Sequence, residues 1–209
     1  MDDHIADAIT VYDSIADQYN EKIDSYAPRP EREKFISLIK PGGHILDAGC
    51  GPGRDADYFA QKKFTVTGVD LSEKLLNLAR RRTKEATFIQ QDLRSLQFPD
   101  NSFDGIWACA SLLHLRRTEV PGVLRRFRDV LKSSGTLFVL LKEGSGEADV
   151  QDRLSPELSR HFVYYKPPEL KSLLTDAGFR VDEMYVWNEE KLYPGRRDIT
   201  WISGFSTKR

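Results

Sequence analysis

Only two cysteines, Cys50 and Cys109, occur in the 209 residues. No paired Cys or His spacing of the zinc-holding kind is present, so the chain reads as neither disulfide-stapled nor metal-bound, and no metal site is expected. Charge of one sign is lacking as well. Lys and Arg number 31 against 32 Asp and Glu, a formal net charge of −1. No global field would gather nucleic acid or an anionic membrane. The longest apolar stretch, around residues 106–115, falls far short of the ~20 residues of a membrane span. The opening "MDDHIADAIT" is acidic and has no apolar core of a secretion signal. These absences lead us to expect a cytoplasmic protein with no membrane contact. No internal repeat and no low-complexity segment is seen.

What is present is an ordinary globular composition, 40% hydrophobic and 30% charged. The length suits one domain. Residues 7–19 read as a helix, followed by a second one through Phe35, Leu38 and Ile39 that Pro41-Gly42-Gly43 ends. From His44 strands and helices then alternate. "HILDAG", "FTVTGVD", "ATFIQQD", "FDGIWACA" and "GTLFVLLK" are strands, with helical patterns after the first, second and fourth. Ser72 sits where it would cap a helix, and Gly178 where it would end one. Residues 143–160 are polar and read as loop, with at most a short helix. "FRVDEMYVW" and "DITWISGFS" have no helix between them and are expected to pair antiparallel. Such βα alternation predicts an α/β fold, a mostly parallel sheet with helices on both faces. Its organisation is read as a helical cap over residues 1–40, a ligand-binding core over 41–142 and a lid with the last strands over 143–209.

The stretch with most chemical content is "HILDAGCGPGRDADYFA", residues 44–60. Gly49, Gly51 and Gly53 lie between a strand and a helix, where glycine permits a tight turn and close ligand approach. The third glycine comes one residue too early for a dinucleotide fingerprint. Asp47, two residues before the first glycine, would repel a pyrophosphate, which normally meets free N–H groups there. No Gly-Lys-Ser/Thr follows, which excludes a Walker loop. A phosphate-free cationic nucleoside suits this loop better, and S-adenosylmethionine has that character. Asp70 ends the second strand about twenty residues on, where an acid can accept ribose hydroxyls. Asp92 ends the third strand, placed to take a hydrogen from an adenine amine while Leu93 packs on the ring.

These motifs resemble those of class I S-adenosylmethionine-dependent methyltransferases of the small, ubiquinone-biosynthesis-like type. "ILDAGCGPG" resembles that family's first motif, "VTGVDLSEKLL" its acidic second, "IQQDLRSLQFPDNSFDGIWA" its third and fourth, and "LKSSGTLFV" the start of its fifth strand. Lys132-Ser133-Ser134-Gly135 departs from the family's usual Lys-Pro-Gly-Gly, a difference confined to a turn. The resemblance implies a Rossmann-like seven-stranded sheet of order 3-2-1-4-5-7-6 with strand 7 antiparallel. It implies S-adenosylmethionine as cofactor, S-adenosylhomocysteine as product, and methyl transfer to a small-molecule oxygen or nitrogen nucleophile. Its cofactor set is Asp47, Gly49, Cys50, Gly51, Gly53, Asp70, Leu71, Asp92 and Leu93. Tyr12 and Tyr19, in "VYDSIADQY", resemble the family's N-terminal segment that closes over the methionine part.

His114, in "SLLHL", follows the fourth strand and is the candidate general base; it could equally be a packing residue of that loop. With strand 7 antiparallel, residues 143–166 and 187–197 should hang over the ligand-binding end of the sheet. Tyr164, Tyr165, Arg196 and Arg197 in them are candidates for holding an acceptor, the arginines for an acidic one. An RNA methyltransferase, a non-catalytic cofactor-binding partner subunit and a nicotinamide enzyme are the competing readings. The balanced charge argues against the first and the glycine spacing against the last. Either a monomer or a homodimer is compatible with the sequence.

Overall fold

Three helices come first: α1 (Asp3–Ser14), α2 (Ala16–Ile23) and α3 (Arg29–Ser37). The computed structural model describes residues 3–151 and 158–209. The single helix expected over residues 7–19 is divided at Ile15, whose φ of −110° and ψ of 12° leave the helical region. Just before it, the Ser14 hydroxyl donates to the Val11 carbonyl at 2.7 Å. Such back-bonding is the local competition that makes serine a weak helix former.

From His44 the elements alternate as the apolar pattern predicts: β1 (His44–Ala48), α4 (Arg54–Gln61), β2 (Thr65–Asp70), α5 (Glu73–Arg82), β3 (Ala86–Gln90), β4 (Phe103–Cys109), α6 (Val120–Val130) and β5 (Leu131–Lys142). Ser72 caps α5, its hydroxyl oxygen accepting the Leu75 N–H at 3.1 Å. The chain continues through β6 (Glu147–Gln151), β7 (Ser159–Val163), α7 (Pro167–Asp176), β8 (Phe179–Asn188), α8 (Glu189–Leu192) and β9 (Thr200–Lys208).

The polar segment 143–160 is not the plain loop that its composition suggests. β6 and β7 form an antiparallel pair, from Glu147 opposite Val163 to Gln151 opposite Ser159. All of β6 is exposed, so no buried face writes an apolar alternation into its sequence. Its partner β7 supplies the buried Phe162 and Val163. Residues 152–157 of that expected loop lie outside the described residues.

The main sheet has the order β3-β2-β1-β4-β5-β9-β8. This is the expected order once the two hairpin strands are counted. β1 through β5 run parallel, and β9 is antiparallel to both β5 and β8. The strand order reverses between β1 and β4, and ligands of open α/β sheets bind beyond the strand ends at such a point. Trp107 of β4 centres the core beneath it. Its ring stacks on Phe138 with centroids 4.0 Å apart and meets Phe35 and Phe59 at 5.1 and 5.4 Å. On the ligand-binding side, α1 lies against β7 and α5. No helix among the described residues is long and apolar enough to cross a membrane.

Candidate active site

The loop after β1 uses its own N–H groups internally. Gly49 and Cys50 both donate to the Val69 carbonyl, at 2.8 and 2.9 Å, and Gly53 donates to the Cys50 carbonyl at 3.0 Å. The Gly51 N–H donates to Asp70 Oδ2 at 2.8 Å, and Pro52 has none to give. A phosphate-binding loop points such groups at its ligand; this one does not. Two of the glycines are required for different reasons. A Cβ on Gly49 would stand 2.4 Å from that of Ser111, so the exits of β1 and β4 meet only because it is absent. A Cβ on Gly51 would meet nothing closer than the Tyr19 ring at 3.9 Å, because that residue faces an open cleft.

The cleft holds about 800 Å³ of empty space, its mouth included. Gly49, Gly51, Asp70, Leu71, Asp92 and Leu93 line its floor and one wall, and His114 another. Tyr12 of α1 and Tyr19 of α2 cover it, with Ile5 and Ile9 beside them. Eight of the eleven residues that the sequence nominates for the cofactor therefore meet here. The other three, Asp47, Cys50 and Gly53, do not line the cleft. A Cβ on Gly53 would meet that of Ala79 at 2.9 Å, so this glycine serves the contact of α4 with α5.

Each acid behaves differently. Asp47 is 2% exposed and its Oδ2 has no hydrogen-bond partner. Burial and the neighbouring Asp55 carboxylate push its pKa well up, against the pull of Arg54 and Arg32. Asp70 accepts the Gly51 N–H on one oxygen and the Ser72 N–H, at 3.0 Å, on the other. A carboxylate oxygen has two lone pairs, so each can accept a second donor from the cleft. Asp92 is already engaged. Arg94 contacts both of its oxygens and also Glu119, at 2.7 to 3.1 Å. Burial raises the Asp92 pKa, but these bonds outweigh it and hold the group below its ordinary value.

His114 lies between two partners. Its Nδ1 is 3.0 Å from the His161 carbonyl and its Nε2 is 3.0 Å from the Tyr12 hydroxyl. A carbonyl only accepts, so Nδ1 carries the proton, and Nε2 accepts from Tyr12. Burial, with Arg160 and Lys142 nearby, pushes the His114 pKa down to about 3. This has a consequence for stability. The unfolded chain takes up a proton at this histidine near pH 6.5, which the folded chain refuses until about pH 3. Stability therefore falls as pH drops through that window, by ~1.4 kcal/mol per unit. Chemical denaturation should show wild type losing ~2 kcal/mol more than His114→Gln between pH 7 and pH 5. Equal losses in the two proteins would contradict the buried, neutral state.

The residues nominated for the acceptor are not brought together. Tyr165 is fully buried with the Arg117 guanidinium 4.4 Å over its ring, so it belongs to the core. Tyr164 lies outside the cleft lining, its carbonyl accepting from Arg117 Nη2 at 2.5 Å. Arg196 stacks on Tyr193 at 4.0 Å. Arg197 is paired at 3.0 Å with Glu189, a carboxylate 2% exposed that also accepts from Trp201. Conversely, Gln91, Cys109, Ala110 and Ser111 line the cleft without having been nominated for it. Their one signal in the sequence is position, since each adjoins the end of β3 or β4.

Comparison with known proteins agrees with this geometry. Residues 45–135 match a family model described as a methyltransferase domain. YqeM of Bacillus subtilis, which carries a methyltransferase name, is 33% identical over 195 residues, covering 86% of this chain and 75% of its own. The ubiquinone biosynthesis O-methyltransferase of Xanthomonas axonopodis is 27% identical over 85% of this chain and 82% of its own. A malonyl-[acyl-carrier protein] O-methyltransferase of Erwinia pyrifoliae is 36% identical, but the chain spans only 44% of its length. Among solved structures, a Burkholderia thailandensis N1-methyltransferase with bound 1,6-didemethyltoxoflavin and S-adenosylhomocysteine superposes with a TM-score of 0.77 at 22% identity, over 99% of this chain and 89% of its own.

Proposed function

Because this chain belongs to the class I S-adenosylmethionine-dependent methyltransferases, we propose that the cleft between β1 and β4 holds that cofactor and presents it to a small-molecule oxygen or nitrogen nucleophile. The observation that carries the reading is the glycine loop. Its N–H groups are satisfied within the protein, a buried carboxyl oxygen of Asp47 behind it has no partner, and Gly51 opens onto the cleft. That combination fits a cationic, phosphate-free nucleoside.

Bound there, S-adenosylmethionine supplies a methyl group on a sulfonium, already activated for in-line displacement. What the chain contributes is placement and exclusion of water, which in favourable cases lowers a barrier by ~7–11 kcal/mol. Asp70 would accept ribose hydroxyls on its spare lone pairs. Leu71 and Leu93 would give apolar surface to the base, and Asp92, held by Arg94, a fixed acceptor beside it. Asp47, buried behind the loop, would supply negative charge toward a cationic ligand, whose charge would counter the rise in its pKa. Tyr12, held by His114, would close the cleft from above. With a pKa near 3 and Nε2 already accepting from Tyr12, His114 is a positioning residue here rather than a general base.

Asp70→Ala should weaken S-adenosylmethionine binding by roughly 1.5–3 kcal/mol, the scale of a hydrogen bond to a charged group. Titration calorimetry measures this, and Asp70→Asn, which keeps an acceptor for the Gly51 N–H, should fall between. Wild-type affinity in the alanine variant would remove the ribose role. Binding of NAD rather than S-adenosylmethionine by wild type would overturn the cofactor itself.

A further inference from the structure

The end of β5 carries a cation with no carboxylate of the described residues paired to it. Lys142 is half-buried, and its Nζ sits 3.5 Å over the Phe162 ring. No carboxylate among the described residues lies within ion-pair distance of it. The charges that reach it are those of Arg160 and Arg197, both positive; burial first and these two next push its pKa down to about 8. Arg197 is balanced by Glu189. Burying a charge is costly unless something compensates it. Cation–π contact offsets part of that cost but adds no negative charge.

The position follows from strand geometry. Arg160 and Phe162 are two apart on β7 and so share one face. That face meets the lid and the cleft wall: the Arg160 guanidinium lies 4.9 Å over Tyr12 and 5.4 Å from the Phe162 centroid, and Phe162 meets His114 at 4.9 Å. Tyr12 and His114 line the cleft. The cations therefore stand just beyond the cofactor's covering residues, on the β5 side.

We infer that Lys142 is the anion-binding corner of the acceptor site, so that the methyl acceptor carries a carboxylate or phosphate group. This rests on the methyl-transfer reading above. The counter-charge that Lys142 lacks arrives with the substrate, and the Tyr12 ring flanks its apolar body. Net attraction then orients the acceptor by its head group and leaves the nucleophile free to face the cleft.

The test uses benzoate, phenyl phosphate and the neutral benzamide as probes. Each is titrated, by ligand-observed NMR, into the full chain saturated with S-adenosylhomocysteine. Wild type should bind at least one anion about tenfold or more tightly than benzamide, the scale of a charge-assisted hydrogen bond. Lys142→Gln should lose that preference and Lys142→Arg should keep it. Whichever anion binds better identifies the head group. Equal binding of benzamide, no binding of any probe, or an undiminished preference in Lys142→Gln would overturn the anion corner. The wild-type comparison decides even if the glutamine variant fails to fold. Calorimetry with S-adenosylhomocysteine is run first on wild type. Its failure there would sink the cofactor reading and this inference with it. Its success means that any later failure with the probes counts against the anion corner alone.

Discussion

Replacing Gly51 with leucine is expected to abolish S-adenosylmethionine binding while leaving the fold in place. At this position a Cβ meets only the Tyr19 ring, at 3.9 Å, and the rest of the side chain extends into the cleft. The backbone φ of +52° is left-handed, which costs a non-glycine residue ~1–2 kcal/mol. The N–H bond from Gly51 to Asp70 uses the backbone alone and survives the substitution. The isobutyl group then occupies the space through which any ligand must approach the loop. Affinity should fall by about a hundredfold or more, ~2.7 kcal/mol. The melting temperature should fall by only roughly 2–8 °C. Calorimetry and a thermal scan on the same sample separate the two effects. Retention of affinity within about threefold would mean that the cofactor does not lie against this loop.

The largest effect on stability is expected at Asp55, which the sequence did not bring forward. It is 5% exposed in the first turn of α4. Arg54 donates to both of its oxygens, at 3.0 and 2.5 Å, and the Trp107 indole donates at 2.9 Å. Arg32 of α3 lies 2.6 Å away in ion-pair contact, without hydrogen-bond alignment. Burial raises the Asp55 pKa, but Arg54 and Arg32 pull harder and hold it below the ordinary carboxylate value. One carboxylate thus fastens the helix after the glycine loop to α3 and to β4. Asp55→Ala leaves two guanidiniums, each about 10% exposed or less, without their shared counter-charge. Breaking a buried pair from one side costs ~3–5 kcal/mol, roughly 6–20 °C in melting temperature for a chain of this size. Asp55→Asn should lose less, because it can still accept from Trp107. A loss below ~1 kcal/mol in the alanine variant would show that Asp47, close by, has taken over the pairing.

Several readings made from the sequence rested on local physics and needed no partner. The βα alternation, the cap at Ser72 and the break at Gly178 follow from periodicity and backbone preference. So does the placement of Asp70 and Asp92 at strand ends. What the sequence hides has equally local causes. The hairpin of β6 and β7 was illegible because β6 buries nothing. Tyr165 looked like a lid aromatic because a loop assignment hides burial. Arg197 looked available because its partner, Glu189, meets it only when the connection between β8 and β9 folds over.

By itself the sequence determined the fold class, the strand order by resemblance, and a loop chemistry that excludes phosphate. Each depends on residues within one βα unit, where spacing maps directly onto backbone geometry. Only the tertiary structure decided which groups are charged and which are engaged. Tyr12 reaches His114 across 102 positions, Asp55 gathers arginines from two helices, and Lys142 meets Arg160 and Phe162 only through the hairpin. Those contacts are fixed by where the sheet order brings the strand ends together. Burial then sets the electrostatics, and no run of neighbouring residues encodes that.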